Sequence, residues 1–133
     1  MGDDISVLID SGIFIAYYNK RDENHEQAVE LIKQIEDNKL GAAYVTDHVF
    51  DETVTYLQKR VSEKDAVKVG QQILDCFQFI FTMPEMFSES WELFRKNSVS
   101  FTDCSLVVIK RRWKIDHLIT FDKRLNDIIR GGK

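Results

Sequence analysis

Four carboxylates stand out by where they fall. Asp10 closes the apolar run Val7-Leu8-Ile9, and Asp122 closes Leu118-Ile119-Thr120-Phe121. If both runs are parallel strands, both carboxylates project from the same sheet edge, where ligands of such sheets bind. Around an ideal helix Asp103 has Leu106 at about −60° and Val107 at about +40°, so it points into an apolar arc. A buried, unpaired carboxylate is costly and should meet a cation or neutralise. Glu52 lies roughly opposite the stripe Phe50, Val54, Leu57 and Val61, yet Val49 and Tyr56 flank it at i−3 and i+4, as they would flank a residue on a groove's edge.

Each acid also has a plainer reading. Asp10 and Asp122 can cap the helix or turn that follows a strand. Ser100-Phe101-Thr102-Asp103 resembles a capping box. Glu52 can simply be solvated. Taken together they say more. Four carboxylates gathered without counter-charge repel one another and raise their pKa values. Mg²⁺ or Mn²⁺ with oxygen ligands relieves this, positions a phosphodiester and lowers the pKa of an attacking water. Glycoside hydrolysis needs only two carboxylates, and the sequence does not give their separation.

The elements that must position these acids follow from the hydrophobic pattern. Strands are expected at Ile5–Ile9, Ala42–Val45, Phe79–Phe81 and His117–Phe121. Helices are expected over Ser11–Tyr18, after an Asn24 cap with Ala28, Leu31, Ile32 and Ile35 inward, and from Thr46 or Asp47 to about Val61. Ser62 caps another helix with Ala66, Val69, Ile73 and Phe77 inward. Pro84 opens one containing Phe87, Trp91 and Phe94, and Ser100 opens one ending at Trp113. Strands alternating with helices predict an α/β fold, a three-layer α/β/α sandwich around a parallel sheet of four to five strands.

At 133 residues the chain is one domain's worth, with residues 1–4 and 130–133 expected to fray. A hydrophobic fraction of 44% with 30% charged residues excludes a disordered chain. No apolar run approaches the ~18 residues of a membrane span, and no secretion signal is evident. Met1 to Ser6 fits a loose myristoylation pattern, but a strand starting at Ile5 leaves no free arm for it. Cys76 and Cys104 read as reduced packing residues of a cytoplasmic protein, and no Cys/His spacing fits zinc. His25, His48 and His117 read as surface or boundary residues. Net charge is −4, with 18 basic and 22 acidic residues, so RNA binding by a basic surface alone is excluded. The densest basic run, Lys110-Arg111-Arg112-Trp113-Lys114, suits a helix C-terminus, with phosphate contact by Lys110, Arg111 and Arg112 the alternative.

In its motifs the chain resembles the PIN domain, and among its members the VapC-like toxins, over nearly its whole length. The motifs are Val7-Leu8-Ile9-Asp10-Ser11-Gly12-Ile13-Phe14, Val45-Thr46-Asp47-His48-Val49-Phe50-Asp51-Glu52, Ser100-Phe101-Thr102-Asp103-Cys104-Ser105 and Leu118-Ile119-Thr120-Phe121-Asp122-Lys123. The resemblance implies a single-strand-specific endoribonuclease in which Asp10, Glu52, Asp103 and Asp122 hold one or two Mg²⁺ or Mn²⁺ ions. It implies that Thr46, Thr120 and Ser11 orient those carboxylates, and that cleavage leaves a 5′-phosphate and a 3′-hydroxyl. It further implies a homodimer and a cognate antitoxin. Leu125 replaces the family's usual aromatic residue, and with little chain after Ile129 the last strand is expected to be short or absent.

Competing readings are a catalytically silent RNA-binding or assembly module, a non-toxin RNA-processing nuclease, and a magnesium-dependent phosphatase or receiver domain. Phosphatases of the haloacid-dehalogenase type need an Asp two places after Asp10, where Gly12 stands. Receiver domains need an acidic pair at that strand's end, whereas Asp3-Asp4 precede the strand.

Overall fold

The computed structural model describes residues 5–131. Four parallel strands form its sheet: β1 (Ser6–Ile9), β2 (Ala42–Thr46), β3 (Gln78–Ile80) and β4 (His117–Ile119), in the order β3-β2-β1-β4. Central β1 places Val7 beside Ala43 on one flank and beside His117 on the other. Val7, Leu8 and Ile9 are all buried, as expected for a parallel strand covered on both faces.

Seven helices cover the sheet and complete a three-layer α/β/α sandwich. They are α1 (Ser11–Tyr18), α2 (His25–Glu36), α3 (Asp47–Arg60), α4 (Glu63–Cys76), α5 (Pro84–Lys96), α6 (Phe101–Trp113) and α7 (Lys123–Arg130). Among them α1 packs on both α2 and α3, α3 packs on α4, α5 and α7 pack on α6, and α3 touches α6. Every residue of α6 from Cys104 to Ile109 is buried, which makes it the central helix of its layer. No helix among the described residues is long and apolar enough to cross a membrane.

Two clamps hold β1 against β4. Where these strands begin, the backbone N–H and hydroxyl of Ser6 both donate to Asp116 Oδ2, and the Asp116 N–H donates back to Ser6 Oγ. Where they end, the Asp10 N–H donates to the Ile119 carbonyl at 3.0 Å. Gly41 leads into β2 at φ +75°, and a Cβ there would lie 1.9 Å from the Ile5 carbonyl oxygen. Only glycine allows both the left-handed turn and that approach.

Several expected boundaries and burials differ. Ile5 is exposed and precedes β1, although its carbonyl still accepts from the Ala42 N–H. Phe81 lies beyond β3 and is exposed, while Thr120 and Phe121 lie beyond β4. The sheet is shorter than the apolar runs because the ends of those runs supply the cleft. The face of α3 that enters the core is Val49, Thr53 and Leu57; Phe50 and Val54 pack on α4 at Gly70, and Val61 is exposed past the helix end. Cys104 is buried as expected, but Cys76, the last residue of α4, is exposed. Arg130 closes α7; residues 1–4, 132 and 133, where fraying was expected, and most of the myristoylation pattern lie outside the described residues. No fifth strand occurs among the described residues.

Candidate metal centre

The strand ends and helix starts meet at one sheet edge, around a cleft of about 430 Å³. Asp10, Glu52, Asp103 and Asp122 all line it, together with Ser11, Gly12, Ile15, Asp22, Asn24, Ser100 and Phe121. Four carboxylates far apart in sequence are thus brought together by four different elements.

Asp10 is the most buried of them. It caps α1 by accepting from the Ser11 N–H at 2.8 Å, and its Oδ2 accepts from the Thr120 hydroxyl at 2.6 Å. Burial pushes its carboxyl above the usual range; the two hydrogen bonds pull it back, and Glu52 and Asp122 push it up again. The Thr120 hydroxyl also accepts from the Asp122 N–H at 3.0 Å, so one side chain positions two acids. Asp122 caps α7 through Oδ1, which accepts from the Arg124 N–H at 2.9 Å. The cap reading and the cleft reading therefore hold together for both strand-end acids.

Asp103 sits in the first turn of α6, where its N–H donates to the Ser100 hydroxyl at 3.0 Å. Its carboxyl is pushed up to about 6, first by burial and then by the charges of Asp10, Asp122 and Glu52. Glu52 is exposed on its rim of the cleft and accepts from the Ser11 hydroxyl at 2.9 Å.

The remaining expected residues fall differently. Thr46 is buried and caps α3, accepting from the Val49 N–H at 3.2 Å; it is not among the cleft residues and bonds none of the four acids. It acts on Glu52 only by starting the helix that carries it. Lys110, Arg111 and Arg112 stand seven to nine residues along α6 from Asp103, about 10–14 Å down its axis. Arg112 there pairs with Glu89. Asp22 carries no expectation from the sequence, and Asn24, expected as the cap of α2, stands at that position without a side-chain capping bond. They form the turn between α1 and α2, in which Asp22 Oδ1 accepts from the Asn24 N–H at 2.8 Å. The Asp22-Glu23-Asn24 spacing was the available signal, since such side chains close turns on their own backbone.

The donor set is entirely oxygen, with neither His nor Cys in the lining, which suits a hard divalent cation such as Mg²⁺ or Mn²⁺ and not zinc. No Lys or Arg lines the cleft either, so the raised carboxyls have no protein cation to answer them. As they stand the acids spread along the walls: among the described residues no three His, Cys, Asp or Glu side chains close on one point.

A family model for the PIN domain matches residues 7–130. The chain is 29% identical over 126 residues to a VapC ribonuclease of Archaeoglobus fulgidus, covering 92% of this chain and 80% of that protein. Among solved structures it resembles the VapC20 toxin of Mycobacterium tuberculosis, described as cleaving the sarcin-ricin loop. The TM-score is 0.79 at 21% identity, over 92% of this chain and 94% of that one. It also resembles a chain of a toxin–antitoxin complex from Klebsiella pneumoniae, with a TM-score of 0.63 at 16% identity over 89% and 88%.

Proposed function

The chain belongs to the PIN domain family, and from that premise we propose that it is a metal-dependent, single-strand-specific endoribonuclease, the toxin of a toxin–antitoxin pair. The observation that carries the reading is the convergence of Asp10, Glu52, Asp103 and Asp122 on one cleft without a basic side chain. The likeness to a VapC ribonuclease supports RNA as substrate, and the likeness to a chain of a toxin–antitoxin complex supports a cognate antitoxin as partner. The proposed place of action is the cytoplasm.

The four carboxylates would hold one or two Mg²⁺ or Mn²⁺ ions. When bound, such an ion supplies a polarised phosphate and a water acidic enough to attack it near neutral pH. The protein's part is positioning. Thr120 holds Asp10 Oδ2, and Ser11 holds Glu52 Oε1. Asp122 Oδ1 is kept in place by the start of α7. Asp103 is ionised at neutral pH and regains its proton near pH 6. Lys110, Arg111 and Arg112 lie past the buried middle of α6 and outside the cleft, so any phosphate contact they make would be remote from the four acids.

Cleavage of labelled total RNA by wild type and Asp103→Asn, in Mg²⁺, Mn²⁺ or EDTA, tests the reading. Scission that needs both the metal and Asp103 is expected, leaving a 5′-phosphate. Equal activity of Asp103→Asn, or full activity in EDTA, would overturn it.

A further inference from the structure

One side chain of the cleft wall is left over by the local structure. Asn24 stands at the start of α2, where asparagine is favoured because its side-chain oxygen takes a backbone N–H of the first turn. Here it makes no such bond, and its carboxamide lines the cleft. Its backbone, by contrast, is fixed. The Asn24 N–H donates to Asp22 Oδ1 at 2.8 Å, and the Asn24 carbonyl accepts from the Ala28 N–H at 2.9 Å. The next residue, His25, donates its N–H to the Asp22 carbonyl at 3.0 Å, and its ring Nδ1 lies 2.8 Å from the Ala16 carbonyl of α1. The turn is therefore a rigid mount for an uncommitted amide.

The other polar groups of the lining are engaged or of one kind. The Ser11 hydroxyl donates to Glu52, and the Ser100 hydroxyl accepts from the Asp103 N–H. The carboxylates, once ionised, only accept. Asn24 carries the one side-chain N–H among the cleft residues, beside an acceptor of its own. Phe121 adds an aromatic face. It is half-buried, packs against the core and lines the cleft. Thr120 before it bonds Asp10, and Asp122 after it caps α7, so its backbone is held from both ends. Gly12 leaves room at the start of α1, with nothing within 4 Å of where a Cβ would stand. An aromatic face and an amide are the means by which single-stranded RNA is read: a base unstacks, lies on the ring, and offers its edge to the amide. The best match is an edge with an amino group beside a ring-nitrogen acceptor, as adenine has in N6 and N7. Guanine O6 or uracil O4 would instead turn a carbonyl oxygen toward a wall of carboxylates.

We propose that Asn24 and Phe121 select a nucleotide flanking the scissile phosphate: Phe121 stacks an unpaired base and Asn24 reads its edge, with adenine preferred. That the ligand is RNA rests on the nuclease reading above; the choice of base rests on these two residues. Both act on substrate and not on the metal, so their loss alters which RNA is held and leaves Mn²⁺ binding intact.

Uridine oligomers carrying a single adenine, cytosine or guanine test this on the full chain. Binding is read by fluorescence anisotropy in an Asp103→Asn background, and cleavage by the otherwise wild-type chain in Mn²⁺. The variants are Asn24→Leu, Asn24→Asp, Phe121→Leu and Phe121→Tyr, with circular dichroism confirming the fold of each. The adenine oligomer is expected to bind and be cut about 10–100-fold better than the guanine oligomer or uridine alone, the range of one two-bond base contact. Asn24→Leu and Asn24→Asp should bring that ratio to about twofold or less, because the bidentate contact is gone, at unchanged Mn²⁺ affinity by calorimetry. Phe121→Leu should weaken the adenine oligomer about tenfold, and Phe121→Tyr should not. An adenine preference that survives Asn24→Leu overturns the role of Asn24. So does an equal loss across all oligomers in that variant, which would make Asn24 a packing residue. A wild-type preference for guanine or uridine overturns the assignment of base. If the wild type cuts no RNA, the nuclease reading fails, and oligomer binding in the Asp103→Asn background still decides whether Asn24 reads adenine. If Phe121→Leu unfolds, Phe121→Met replaces it with the same expectation.

Discussion

Thr120 and Asp10 are 110 residues apart in sequence and 2.6 Å apart in space, hydroxyl to carboxylate. This bond joins the ends of β1 and β4 and holds the most buried acid of the cleft in one orientation. Second partners of this kind set how well a ligand group meets its metal.

Replacing Thr120 with Val keeps the shape and removes the bond. Mn²⁺ affinity is expected to fall about 10–100-fold, and stability by about 1–2 kcal/mol from the unpaired carboxylate. Thr120→Ser should restore both. Calorimetry and urea unfolding read the two effects, and unchanged Mn²⁺ affinity in the Val variant would refute the role.

Asp103 predicts an unusual pH dependence for the metal-free protein. Its carboxyl is raised from the ordinary 3.8 to about 6, so the folded chain holds that proton more tightly than the unfolded one. Its contribution to stability is therefore greatest below about pH 4 and declines as pH rises through about 6. With the group half-buried, the loss is about 1–2 kcal/mol. In EDTA, Asp103→Asn should melt higher than wild type at pH 7 and converge with it near pH 4. Parallel melting curves across that range would contradict the assignment.

Metal and proton compete for the same carboxylates. Mn²⁺ affinity should rise with pH through about 6, where Asp103 gives up its proton, and level off above it. Binding at pH 6 should release protons, measurable as a dependence of the calorimetric heat on buffer ionisation enthalpy. A flat affinity between pH 5 and 7 would rule out Asp103 as a ligand.

Gly41→Ala tests the entry into β2. The left-handed φ and the clash with the Ile5 carbonyl together should destabilise the fold by about 2–3 kcal/mol. Gly12→Ala is the control, because nothing lies within 4 Å of a Cβ there. Equal melting temperatures for the two variants would show that the β1–β2 entry tolerates rearrangement.

The parallel sheet and the strand-end positions of Asp10 and Asp122 were legible because buried strands read as short apolar runs closed by an acid. Asp103 was legible from the apolar arc around it. Glu52 was the weakest of the four: Val49 and Tyr56 mark it as an edge residue, but that its exposed side chain reaches the cleft depends on α3 passing the sheet edge there, a tertiary fact. The apolar pattern of α5 was ambiguous for a related reason. Phe87, Trp91 and Phe94 have the spacing of a core face, yet α5 turns Met86 and Ser90 inward. Periodicity finds the apolar face of a helix but not how much of it a neighbour covers. Asn24 was legible only as the start of α2, and neither its side chain nor that of Asp22 signals that a turn at the end of α1 forms a wall of the cleft.

The two clamps between β1 and β4 carry a consequence for how the chain is made. Ser6 waits for Asp116, and Asp10 for Thr120, so the sheet's central strand is joined on one flank only after residues 110 positions further on have been made. Contacts of such long range close late and slow folding. During synthesis a nascent chain can pair β1 with β2, but it holds at most three of the four carboxylates until Asp122 has left the ribosome. A growing polypeptide therefore carries an incomplete cleft until β4 and Asp122 have been made, and the acid-lined edge is the last part of the sheet to come into being.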